Sequence, residues 1–492
     1  MRRNGMLLPI ASLPSPYGIG GFSKEAYEFI DLLEETGQKL WQILPLGPTS
    51  YGDSPYQSFS TFAGNPYFID LDTLAEKGWL TKEACEASDY GDNESYIDYG
   101  RIYNSRFVLL KQAFLNSDIL SDEKFTEFCK ANQHWLPDYA LYMALKNQND
   151  GKSWIEWEEE IRLRKPEAVE CYKRELEEEC NFYEFLQYEF HEQWTKVKEY
   201  AHEKGIQIVG DVPIYVAFDS ADTWANPELF QLDEKNLPLG VAGCPPDAFS
   251  ATGQLWGNPL YNWAYHKKTG YDWWLKRIAY CFDLYDIVRI DHFRGFDEYY
   301  SIPYGDETAV NGHWEKGPGM DLFNTVKEKL GELDIIAEDL GFLTESVFQL
   351  LKDSGYPGMK VLQFAFDPSE DSDYLTYKYQ RNCVVYTGTH DNDTTAGWFE
   401  KLSDGDKEVA LRYMNSFYTP KEEQHWDLIA LAMRSTADTC IIPVQDFLGL
   451  GSEARINMPS TLGDNWKWRM TKGAFSEELK EKIRRMTKLY GR

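Results

Sequence analysis

The sequence predicts an α/β protein built on a (β/α)8 barrel with long loop and helical insertions. Eight apolar segments of strand length alternate with helix-favouring stretches, the mark of parallel βαβ units, and eight is the number that closes a barrel. Three of these segments run straight into a carboxylate: Asp286 to His292, Ile335 to Asp339, and Val384 to Asp391. A strand buried on both faces reads as a continuous apolar run, so a charge at its end sits where the chain leaves the core. No GxGxxG element opens a helix after an early strand, which disfavours an open doubly wound sheet.

The eight expected strands are Lys39 to Leu44, Tyr67 to Asp70, Gly205 to Asp211, Tyr285 to Asp291, Asp334 to Glu338, Met359 to Phe364, Cys383 to Thr387 and Thr439 to Pro443. Helices are expected over Ala26 to Thr36 and Asn181 to Lys204, the second stopped by Gly205, where a C-terminal cap belongs. Residues 72–200 read as a mainly helical insertion between barrel strands. Within it the Glu- and Lys-rich run Trp154 to Cys180 reads as a solvated helical face. Pro213 to Asp272 is rich in Gly, Pro, Asn and aromatic residues and reads as long loops, so 213–275 is expected to form the cleft and its lid. The whole chain, 1–492, is expected to be one catalytic barrel, with no separate C-terminal β-domain.

Fifty Lys and Arg against eighty Asp and Glu give a formal net charge of −30. Such a surface repels phosphate backbones and anionic lipid, so neither nucleic acid nor membrane is expected as a partner. The eight cysteines show no CxxC pair or short metal spacing, the usage of a reduced cytoplasmic protein. Arg2 and Arg3 precede Met6 to Leu8, but Pro9 interrupts the run too soon for a signal segment. Aromatic residues reach 15%, including 16 Trp and 32 Tyr, enough to furnish both a core and sugar platforms.

Strand-end acids crowded at one rim suit glycoside transfer, which needs one carboxylate ionised and one carboxyl protonated beside the scissile bond. Like charges held together cannot all ionise freely, so crowding itself separates their pKa values. Arg289 lies two residues before Asp291, on the same face of the strand, where its charge favours the ionised aspartate. A single Asp after a strand also serves as a helix cap, and Asp, Glu and His are all metal ligands. No HxH or HxxxH spacing supports a metal, and neither metal nor cofactor is expected.

Read in full, RIDHFRG (289–295), AEDLG (337–341) and TGTHDNDT (387–394) resemble the three catalytic segments of the 4-α-glucanotransferase family, the amylomaltases or disproportionating enzymes of the α-amylase clan. Segments 41–67, 210–224, 245–263, 356–367 and 455–469 resemble it too. Pro9-Ile10-Ala11 departs from a His-Pro-Thr sequence found in some members. The resemblance implies that Asp291 is the nucleophile, Glu338 the general acid and base, and Asp391 the carboxylate that holds sugar hydroxyls. It places Arg289, His390, Tyr56, Ser54, Asp247, Trp256 and Asn457 among substrate-binding positions, with Asp211 as an electrostatic partner and Tyr51 and Phe249 as further aromatic contacts. For each ring, core packing is the competing reading.

The activity so implied is retaining transfer of α-1,4-glucan segments from a maltooligosaccharide to the 4-hydroxyl of an acceptor, by a cytoplasmic monomer or weak homodimer. An α-1,4-glucan hydrolase would use the same carboxylates, and a silent glucan-binding protein would keep the aromatics without the acids.

Overall fold

The computed structural model describes residues 2–50, 52–246, 250–341, 343–369 and 371–492. Eight strands form the central sheet: β1 (Arg3–Leu7), β2 (Leu40–Gln42), β3 (Gln207–Pro213), β4 (Ile287–Asp291), β5 (Ile335–Ala337), β6 (Gly358–Val361), β7 (Cys383–Tyr386) and β8 (Thr439–Pro443). They pair in the order β6-β7-β8-β1-β2-β3-β4-β5, and every ladder is parallel. The barrel closes at the seam between β5 and β6. There the Ala337 N–H donates to Pro357 O at 2.9 Å, and the Asp339 carboxylate accepts from the Met359 N–H at 2.6 Å. A side chain thus supplies a bond that a backbone carbonyl makes elsewhere. Leu40 to Gln42, Ile335 to Ala337 and Cys383 to Tyr386 are buried throughout, as strands covered on both faces must be.

Seven of the eight expected strands lie in this barrel; Tyr67 to Asp70 does not. Asn65 accepts from the Tyr67 N–H and Pro66 occupies the first turn, so Pro66–Phe68 winds into a 3-10 helix. Asp70 then caps the helix Leu71–Glu76 by accepting from the Thr73 N–H. The missing strand is β1, at the N-terminus, paired Met6 to Ile442 and Gly5 to Leu40. Its polar start disguised it: Asn4 is buried, and its amide donates to Gln38 and Thr487.

Helix Lys24–Glu35 buries Ala26, Phe29, Ile30 and Leu33, an apolar stripe at helical spacing. Between β2 and β3 the chain runs through a series of helices, ending in the 27-residue Glu177–Glu203. This last helix starts before Asn181 because Glu177, Glu178 and Glu179 suit its positive N-terminus. It stops at Gly205, whose φ of 70° only glycine adopts freely.

The stretch expected as long loops contains strands Gly240–Cys244 and Gln254–Pro259. They join Glu298–Pro303 and His313–Lys316 in a four-stranded antiparallel sheet whose strands flank β4 in sequence, two before it and two after. Among the described residues no strand follows β8, and the chain ends in helix Glu477–Leu489. No described helix is long and apolar enough to cross a membrane.

Packing at the barrel wall is close. A Cβ on Gly210, in β3, would lie 2.2 Å from the ring of buried Tyr285. Gly210→Ala is therefore expected to lower stability by about 2–3 kcal/mol, seen as an earlier denaturation midpoint; an unchanged midpoint would contradict this packing.

Candidate active site

Parallel strands deliver all their C-terminal ends to one rim of a barrel. On that rim Arg289 stands in β4 with three neighbours. Its Nη1 donates to both Asp211 carboxylate oxygens at 2.6 and 2.8 Å, its Nη2 lies 2.9 Å from Asp291 Oδ1, and its Nε donates to Met359 Sδ at 3.3 Å. Arg289 and Asp211 are buried, while the Asp291 side chain remains 30% exposed. The inner pair is therefore a fixed base on which an accessible carboxylate is held. Burial disfavours the guanidinium's charge, but Asp211 and Asp291 outweigh it and keep Arg289 ionised. Burial raises Asp291 above the usual aspartate value, and Arg289 pulls the other way.

Ile290 pairs with Ala337, so continuing the register sets Asp291 beside Glu338. The two carboxyl groups are near enough that the charge of Asp291 acts on Glu338, the paired arrangement that a covalent, retaining reaction uses. Glu338 Oε2 accepts from the His292 N–H at 2.7 Å, and Oε1 from the Leu340 N–H at 2.7 Å. Burial, then the charge of Asp291, push Glu338 up to about 8, even though Arg289 and the two N–H groups favour its anion. At neutral pH Glu338 holds a proton beside an aspartate that a guanidinium helps to ionise.

Asp391 follows β7, with its side chain 43% exposed. Asn457 Nδ2 donates to its Oδ1 at 2.6 Å, and His390 Nε2 lies 3.4 Å from its Oδ2. Burial works against the anion, but His390 and the Asn457 hydrogen bond prevail and bring Asp391 down to about 2. His390 moves oppositely: burial disfavours the imidazolium, and Asp391 more than restores it. Its ring stacks on Tyr56 at 5.2 Å and 20°, while the Tyr56 hydroxyl donates to Asp211 at 3.0 Å. Ser54 accepts from the Tyr56 N–H, so its hydroxyl shapes the turn that presents that ring.

Trp256 lies on strand Gln254–Pro259 with its Nε1 donating to Gln254. Its ring meets His292 edge-on at 4.8 Å, next to the backbone that binds Glu338. Burial and the nearby Arg294 push His292 down to about 3, which keeps it neutral. Tyr51, Asp247 and Phe249 lie outside the described residues. No group of three His, Cys, Asp or Glu side chains among the described residues is placed to hold a metal ion.

Three contributors escaped the sequence reading. Arg455 donates to the backbone oxygens of Asp391 and Asn457, Met359 accepts from Arg289, and Trp466 packs on both Tyr56 and His390. Arg455 had a faint signal, being two residues from Asn457 in an already noted segment. Met359 and Trp466 also lie in segments that resemble the family, 356–367 and 455–469, but their contacts to Arg289, Tyr56 and His390 arise from tertiary proximity.

A family model described as 4-alpha-glucanotransferase matches residues 8–475. The chain belongs to the 4-α-glucanotransferase family. It is 54% identical over 485 residues to the 4-alpha-glucanotransferase of Clostridium butyricum, covering 98% of this chain and 99% of that one. The amylomaltase from Streptococcus agalactiae, solved in complex with acarbose, is 43% identical, covers 100% of both chains and superposes with a TM-score of 0.96. The amylomaltase from Corynebacterium glutamicum is 18% identical with a TM-score of 0.79, over 99% of this chain and 75% of that one, and shares the fold. The activity here is accordingly that of a 4-α-glucanotransferase.

Proposed function

We propose that the protein transfers α-1,4-glucan segments between maltooligosaccharides by double displacement at Asp291. The observation that carries this reading is the unequal setting of two adjacent carboxyl groups, Asp291 on the Arg289 guanidinium and Glu338 buried and raised to about 8. Glu338 protonates the glycosidic oxygen as Asp291 attacks the anomeric carbon. The C–O bond breaks, the leaving sugar takes the Glu338 proton, and a glucosyl ester forms on Asp291. Glu338, now ionised, removes the proton from an acceptor 4-hydroxyl, which displaces Asp291 with net retention. Asp391, kept anionic by His390 and Asn457, binds hydroxyls of the reacting glucose. Arg289 orients Asp291, with Asp211 as its electrostatic partner. His390, Tyr56, Ser54, Trp256 and Asn457 line the sugar path, and the family resemblance implies Asp247, Tyr51 and Phe249 as further sugar contacts.

In this scheme 1–492 act as one catalytic unit, 213–275 form the substrate cleft and its lid, and 72–200 are a mainly helical insertion between barrel strands. The acidic surface and absence of any membrane-spanning helix among the described residues suit a cytoplasmic enzyme, monomeric or weakly dimeric, that meets neutral glucans.

Incubation with maltotriose tests the reading against hydrolysis and silence. Glucose and longer oligosaccharides are expected at a constant number of reducing ends. A rise in reducing ends would mean that water is the acceptor, and no product at all would mean a binding protein. The carboxylates need no metal for these steps, so EDTA is expected to leave the rate unchanged; a loss restored by a divalent cation would overturn the scheme.

A further inference from the structure

We propose that Trp466 is a positioning residue of this site, wedged against Tyr56 and His390 and anchored there by Tyr99 of the helical insertion. The three rings form a closed set. Trp466 lies 5.8 Å from Tyr56 and 6.0 Å from His390, while Tyr56 and His390 stack on each other. Each ring is tied separately: Tyr56 by its hydroxyl to Asp211, His390 by Nε2 to Asp391, and Trp466 through its backbone. The Trp466 N–H donates to Ile456 O at 2.7 Å, and its carbonyl accepts the Tyr99 hydroxyl at 2.8 Å.

Trp466 has a φ of 66°, a left-handed conformation that a bulky side chain adopts only when its surroundings impose it. Those surroundings reach well past the site. Ile97 N–H donates to Lys467 O, Arg469 N–H to Ser95 O, and the Tyr96 hydroxyl to Glu453 O, lacing residues 95–99 to the strip 453–469. From the same strip Arg455 and Asn457 grip Asp391. The helical insertion thus bears, through this strip, on the carboxylate and histidine that the proposed reaction uses to bind sugar. Removing the indole frees the His390 ring to tilt, which weakens contacts that matter most in the transition state.

This inference rests on the transfer reaction proposed above. Parent, Trp466→Ala, Trp466→Phe and Tyr99→Phe enzymes would be compared for maltotriose disproportionation and thermal midpoint. An inactive parent would refute the reaction itself. With an active parent, Trp466→Ala is expected to lower kcat about thirtyfold with KM within about twofold, a transition-state signature. Trp466→Phe should recover most of the loss, and Tyr99→Phe should lower kcat about threefold, both measured well below the variants' thermal midpoints so that the loss is not one of folding. Unchanged kcat in Trp466→Ala, or a loss in Tyr99→Phe that disappears well below its thermal midpoint, would overturn the proposal. Should the alanine variant not fold, equal kcat in the parent and both phenylalanine variants would do the same.

Discussion

Asp291→Asn should abolish transfer, by about four orders of magnitude or more, because the amide cannot form the glucosyl ester on which both half-reactions depend. The fold should survive. An asparagine retains an oxygen for Arg289 Nη2, and the guanidinium stays neutralised by Asp211, whose two carboxylate oxygens accept from Nη1. The sign of the aspartate's own shift points the same way. Its folded pKa is raised, so ionisation at neutral pH is harder in the native chain than in the unfolded one, and a neutral amide relieves that cost. Activity is thus expected to vanish with a thermal midpoint equal to or above that of the parent. Residual turnover within about tenfold of the parent would remove Asp291 from the nucleophile's role.

Glu338→Gln should cost about 10²–10⁴-fold, the usual range for a general acid and base. It should also change the shape of the pH profile. With Glu338 raised to about 8, kcat/KM of the parent is expected to fall as pH rises through that value, since the donor proton is then lost. The acid limb belongs to Asp291, whose raised pKa places it above the ordinary aspartate value. The glutamine variant should lose the alkaline limb. Supplied with a maltosyl fluoride, whose leaving group needs no proton, it should accumulate a covalent adduct on the peptide containing Asp291. An alkaline limb that persists in the variant, or an adduct mapped to another residue, would reassign the acid. The variant also leaves one of two backbone N–H groups, from His292 or Leu340, facing an NH2, so some loss of stability is expected, about 1–3 kcal/mol.

The strands that carry acids were readable because parallel strands buried on both faces show their apolar character: Ile335 to Ala337 and Cys383 to Tyr386 are uninterrupted, and Ile287, Val288 and Ile290 surround the single charge of Arg289. β1 was not readable. Arg3, Asn4 and Gly5 look like a polar leader, and only neighbours distant in sequence make them a strand: Gly5 exists to let Leu40 approach, since a Cβ would meet Leu40 O at 2.4 Å. At Tyr67 to Asp70 local chemistry won, as Asn65, Pro66 and Asp70 turn an apolar run into two helical starts. Strands Gly240–Cys244 and Gln254–Pro259 are rich in turn residues and become strands by pairing with each other and with Glu298–Pro303. The candidate site divides similarly. The acids stand out by position, whereas the thioether under Arg289, the ring behind His390 and the clamp from Arg455 lie in resembling segments whose residue types do not by themselves announce these contacts.

The dipeptide Glu338-Asp339 has one further implication. Backbone alternation sends the two side chains opposite ways, one into the sugar cleft and the other across the β5/β6 junction onto Met359 N–H. A slip of a single residue in this strand would exchange them, leaving the proton donor stapled in the wall and the staple adrift in solvent. Correct closure of the cylinder and correct placement of the acid are therefore one folding event, and a chain that misses the first cannot acquire the second.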